Sequence, residues 1–131
     1  MPEKPRRIDW RGADLRGTNL QGIDLEGADL RAVDLRAVNM SGANLRYADL
    51  RGANIEQANF QRANLYGAKM QGVEAKQADF RGADLRQANL GGAYLDGALM
   101  PTPVAENRDF EKLLEGYAKA GAPEQEKDKS R

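Results

Sequence analysis

A five-residue period runs unbroken through most of this 131-residue chain, and it constrains the fold more than any other feature. From Ile8 to Thr102 the sequence divides into 19 pentads without an insertion. The central residue of each pentad, from Trp10 and Leu15 through to Leu95 and Met100, is bulky and apolar except at Ala75. Two positions before the centre stands Ala in most pentads, with Ile8, Thr18, Ile23, Val33, Val38 and Val73 as exceptions. The residue just before the centre is mainly Asp or Asn, the next after it often Arg, and the second after it mainly Gly or Ala.

This period does not fit a helix. Five residues at about 100° each advance the phase by about 140° per repeat, so the leucines would spread around the cylinder. Nor does it fit a straight strand, because an odd repeat sends successive leucines to opposite faces. The pattern becomes consistent if each pentad is a short extended side whose Ala and central residue point inward, followed by a corner. Glycine-rich second positions after the centre supply the corner, where a missing Cβ tolerates a tight bend. Stacked coils then pair their backbones with the coils above and below.

Segments such as Ala13-Asp-Leu-Arg-Gly, Ala28-Asp-Leu-Arg-Ala and Ala83-Asp-Leu-Arg-Gln resemble the A(D/N)LXX signature of the pentapeptide-repeat family. The resemblance covers residues 8–102 and implies that family's fold: an all-β solenoid, the right-handed quadrilateral β-helix with four-sided coils of 20 residues. About 4.75 such coils, at a strand spacing of about 4.8 Å, would stand roughly 23 Å tall. Residues 20 apart then stack in columns. Phe60 and Phe80 are expected ring on ring, and Leu15, Leu35, Leu50, Ile55 and Leu85 join them in the structural core. In the column of Leu15, Leu35, Ile55 and Leu95 the small Ala75 leaves space, which Val73 of the same pentad refills in part.

Solenoid ends need cover. Residues 1–7 form an N-terminal extension, residues 103–122 a linker and helix, and residues 123–131 a charged tail without apolar groups, expected to be disordered. After Pro101-Thr-Pro, residues Phe110, Leu113, Leu114 and Tyr117 fall on one helical stripe, predicted to lie across the last coil as an α-helical cap. A dimer-forming helix is the other reading of that stripe. At the opposite end two readings also stand: Trp10 closes the first coil, or a second copy pairs with it as a homodimer.

Much chemistry is absent. The chain has no Cys and no His, which removes disulfides, the usual zinc ligand sets and the common nucleophilic triads. No Gly-rich run leads into Lys-Ser or Lys-Thr as a phosphate loop requires. Carboxylates are expected on a convex outer wall without the enclosure that tunes a catalytic acid. Asp24 and Glu26 are the one adjacent outward acidic pair without a base in their pentad, suited to a weak divalent-ion contact more than to catalysis. Neither an enzyme, nor a cofactor, nor a small-molecule substrate is expected. No apolar run approaches the roughly 20 residues of a membrane span, and no secretory signal is legible, so a cytoplasmic protein is expected.

A macromolecular partner remains, with a protein-interaction scaffold as the leading function. Some members of the family that the repeat resembles mimic duplex DNA and inhibit type II topoisomerases such as gyrase, and this is the alternative. Between Ile8 and Met100, however, 12 acidic and 11 basic residues nearly cancel, whereas duplex DNA would present about 14 phosphates over the same height. Opposite charges share one outer side in pairs such as Asp14/Arg16 and Asp84/Arg86. The same alternation leaves no basic stripe for direct nucleic-acid binding. One wall departs from this balance: Asn44 and Asn64 replace acids beside Arg46 and Tyr66, Tyr66 stacks between Arg46 and Arg86, and Tyr47 stands at the adjoining corner. Tyr and Arg dominate many interfaces. A cation-π ladder that stabilises the wall, at about 0.5–1 kcal/mol per contact, is the competing role for the same residues.

Overall fold

A computed structural model describes residues 7–101 of the chain. Each pentad is three extended residues followed by a two-residue turn. The residue before each centre forms a parallel bridge with the residue 20 positions on, from Asp9 with Asp29 to Asp79 with Leu99. Four pentads therefore close one coil, and the solenoid has four walls. The first wall carries Trp10, Leu30, Leu50, Met70 and Leu90; the second Leu15, Leu35, Ile55, Ala75 and Leu95. The third carries Leu20, Met40, Phe60, Phe80 and Met100, and the fourth Leu25, Leu45, Leu65 and Leu85.

The repeat satisfies every backbone donor of a pentad, which explains its residue preferences. In the pentad centred on Leu25, Leu25 N–H donates to Asn44 O at 2.7 Å, and Gly27 N–H to Arg46 O at 2.8 Å. Asn44 N–H, one coil on, donates back to Ile23 O at 2.8 Å, and Ala28 N–H closes the turn onto Leu25 O at 3.0 Å. Only the N–H after the centre lacks a backbone acceptor. Asp24 Oδ1 accepts it, from Glu26 N–H, at 3.2 Å. An Asp or Asn is thus favoured by the corner itself, whatever it offers to solvent. The pattern breaks at Lys69, Glu74, Tyr94 and Leu99. After Leu99 the residue needing an acceptor is Pro101, which has no N–H to satisfy.

The turn closing each side is type II, with its third residue at positive φ, for example Gly12 at 69°. Glycine suits that conformation, yet Ala32, Ala37, Tyr47, Gln57, Arg62, Gln77 and Gln87 hold it as well.

Inside, Leu35, Leu50, Ile55, Phe60, Phe80 and Leu85 are all buried, as the period requires. The Phe60 and Phe80 rings stack with centroids 5.4 Å apart and planes 12° apart. Ala75 and Val73 are both sealed from solvent. Leu15 differs from the expectation: it is half-buried, together with Trp10 and Leu20, because no described coil stacks beneath the first one. The capping helix with Phe110, Leu113, Leu114 and Tyr117, the linker, the charged tail and the total coil count all involve residues outside the described ones. Among the described residues no helix is long and apolar enough to cross a membrane.

Candidate functional site

Three of the walls are largely self-neutralised. In the first and second, the Asp before a centre and the Arg after it point the same way along one extended side, so each Arg closes a two-pronged bond on its own Asp. Arg16 Nε and Nη2 meet Asp14 Oδ1 and Oδ2 at 2.8 and 2.7 Å. The same fork joins Arg11 to Asp9, Arg31 to Asp29, Arg36 to Asp34 and Arg51 to Asp49. On the third wall, Arg81 forks onto Asp79. The pairs also lean across coils: Arg11 Nε lies 3.6 Å from Asp29 Oδ2. The Arg16 guanidinium holds the Asp14 carboxyl down to about 2. Arg31 does the same for Asp29, also to about 2, against the desolvation that would raise it.

The fourth wall is built differently because its column after the centre reads Glu26, Arg46, Tyr66, Arg86. Stacking at one-coil spacing brings the Tyr66 ring between two guanidinium groups, with Arg46 Cζ 5.3 Å and Arg86 Cζ 5.5 Å from its centroid. Tyr47, at the adjoining corner and 53% exposed, meets Tyr66 edge-on at 5.8 Å and 82°. Arg46 Cζ lies 5.5 Å from the Tyr47 centroid as well, so both rings flank one guanidinium. Arg86 is anchored by its fork on Asp84.

Two sequence-predicted members of this patch do internal work. Asn44 Oδ1 accepts Arg46 N–H at 3.2 Å, and Asn64 Oδ1 accepts Tyr66 N–H at 3.1 Å. Asn44 Nδ2 also donates to Asp24 Oδ1 at 3.1 Å and to Glu26 Oε1 at 3.3 Å. The acidic pair is thus tied to a neighbouring amide, and no group of three or more metal-ligating side chains occurs among the described residues. The sequence reading missed Gly67. A Cβ built there would stand 2.5 Å from Tyr47 Cε1, so glycine at this corner makes room for the ring. Column stacking held that signal, since residues 47 and 67 share a corner.

The pentapeptide-repeat family model, in 8 copies, matches residues 9–46, 39–74 and 63–100. The chain belongs to the pentapeptide-repeat family. This pentapeptide-repeat protein is accordingly a right-handed β-helical solenoid. Among solved structures it is similar to Rfr23, a pentapeptide repeat protein from the cyanobacterium Cyanothece 51142. That match has a TM-score of 0.73 and 31% identity, and covers 75% of this chain and 67% of Rfr23. It is also similar to HetL of Nostoc sp. strain PCC 7120, a pentapeptide repeat protein involved in heterocyst differentiation regulation. There the TM-score is 0.70 and the identity 35%, over 70% of this chain and only 39% of HetL. QnrB1, a plasmid-mediated fluoroquinolone resistance protein, matches at 18% identity with a TM-score of 0.34, too distant to carry an argument. No curated protein matches the sequence.

Proposed function

We propose that this pentapeptide-repeat protein is a non-catalytic scaffold that binds a protein partner through its fourth wall. The observation that carries the reading is the Arg46–Tyr66–Arg86 stack with Tyr47 at its side. Its rings and its central cation sit on a wall facing outward, while the arginines of the first and second walls described above are spent on their own aspartates. Rigid aromatic and guanidinium groups lose little conformational freedom on docking, which is why such residues dominate interfaces. The test compares Tyr66→Ala with Arg36→Ala, a change on a self-paired wall, in capture of host proteins and in thermal unfolding. Loss of capture with Tyr66→Ala, in a protein that stays folded at the assay temperature despite losing its ring contacts, supports the scaffold. Loss of stability alone reduces the stack to a brace for the wall.

Mimicry of duplex DNA is the weaker reading. The forked Asp–Arg pairs neutralise the carboxylates that would have to stand for phosphates. A topoisomerase supercoiling assay with the protein at micromolar concentration decides between the two, because a mimic inhibits there and a scaffold of this charge pattern does not.

A further inference from the structure

We infer that Arg46 is a carboxylate-binding point, so that the partner presents an acidic peptide segment to the fourth wall; this rests on the scaffold reading and names its chemistry. Seven other wall arginines, Arg11, Arg16, Arg31, Arg36, Arg51, Arg81 and Arg86, each fork onto an aspartate of their own pentad. Arg46 has Asn44 in that place, and among the described residues its guanidinium forms no ion pair and donates no hydrogen bond. Asp84 feels its charge only through space, its own carboxylate being forked by Arg86, and Glu26, next in the same column, is held by Asn44 Nδ2 at 3.3 Å.

The flanking rings complete the site. Tyr47 and Tyr66 lie 5.5 and 5.3 Å from Arg46 Cζ, which limits the rotamers of the side chain without using its N–H groups. A guanidinium fixed through its carbon and its faces, with donors unspent, is arranged for two-pronged recognition of a planar carboxylate. Two further cations form no ion pair among the described residues: Arg62, at the corner leading into the wall, and Lys69, just past the corner leading out, which acts through space on Asp49 of the first wall. The unspent donors of Arg46 therefore select a carboxylate over a cation at this point, and the exposed Tyr47 ring offers an apolar contact beside it.

The test is a nuclear magnetic resonance titration of the full ¹⁵N-labelled chain with a terminally blocked Glu-Glu-Phe-Glu-Glu peptide, repeated with its Gln-Gln-Phe-Gln-Gln counterpart. Shifts are expected at the Arg46 side-chain N–H and at the Tyr47 and Tyr66 amides, with little response to the glutamine peptide. Arg46→Gln should weaken binding about five-fold, as loss of one exposed charge pair does. Glu26→Gln should leave it equal or tighter, and Arg46→Lys, which keeps charge but not the fork, should fall between. Unfolded-like spectra for Arg46→Gln would shift the test onto the Arg46→Lys and Glu26→Gln variants. Equal response to the glutamine peptide overturns the carboxylate assignment while leaving the fourth wall a protein-binding surface. Shifts spread over Arg31, Arg36 and Arg51, or none at Arg46, overturn it too. Peptide binding at Arg46 alongside host-protein capture indifferent to Tyr66→Ala would instead remove the scaffold reading.

Discussion

The Tyr47 ring occupies the space above Gly67, one coil further on, where a Cβ would stand 2.5 Å from Cε1 and 2.6 Å from Cδ1. Gly52, at another corner with φ of 71°, has no atom within 4 Å of the same hypothetical Cβ. Gly52→Ala should therefore cost only the left-handed backbone penalty, about 1 kcal/mol. Gly67→Ala should cost that and also displace Tyr47 from Tyr66, a further loss of about 0.5–1.5 kcal/mol. Chemical denaturation of both variants checks this, and in a Tyr47→Ala background the two costs should converge.

Glu74 stands where the corner needs an Asp or Asn, and no side-chain oxygen there accepts Lys76 N–H. In the preceding coil Asn54 Oδ1 accepts Glu56 N–H at 3.1 Å. Glu74→Asn should supply the missing bond and raise stability by about 0.5–1 kcal/mol, the usual net worth of one such bond. The converse change, Asn54→Leu, should destabilise by roughly 1 kcal/mol or more by stranding Glu56 N–H. Denaturation midpoints read both.

Acid tests the forked pairs. Asp14 and Asp29 titrate at about 2 in the fold, against an ordinary carboxylate value of 3.8. The aspartates at 9, 34, 49, 79 and 84 are lowered as well, each first by the hydrogen bond from its own arginine. Between those values the unfolded chain binds more protons, so stability rises with pH there. The contribution is complete above pH 3.8 and lost as pH falls towards 2. Thermal midpoints should be level from pH 6 to about 5 and drop steeply below about 4, and the drop should shrink in Asp14→Asn/Asp29→Asn.

Within the tube, the stacked Phe60 and Phe80 pair should show coupling. Phe60→Leu and Phe80→Leu each remove the stack, so the double variant should cost less than the sum of the singles by about 0.5–1.5 kcal/mol. Additive costs would mean that the rings contribute only their buried area.

How far the sequence could be read depended on whether a contact followed from the period. Phe60 on Phe80 and Tyr66 between Arg46 and Arg86 are separations of 20, which column stacking predicts once the family resemblance supplies the four-sided coil. The bond from Asn44 to Glu26 runs diagonally between columns and depends on side-chain torsions, which a period does not specify. The preference for Asp or Asn follows from one unpaired N–H per corner, visible only once the other donors are assigned. Leu15 has the same letter as Leu35 and a different burial, because position in the stack decides exposure and the pentad does not encode it.

The central claim is that each pentad hides two side chains and turns two outward, and a lysine scan through one pentad of the fourth wall tests it most directly. Thermal unfolding of Ala63→Lys, Asn64→Lys, Leu65→Lys and Tyr66→Lys should separate into two classes. Residues 63 and 65 are buried and 64 and 66 are partly exposed, so the first pair should fail to fold and the second should still fold and unfold cooperatively, lowered only by the turn bond or ring contacts each loses, about 1–2 kcal/mol. A folded Leu65→Lys, or a Tyr66→Lys that unfolds as completely as Leu65→Lys, would contradict the account.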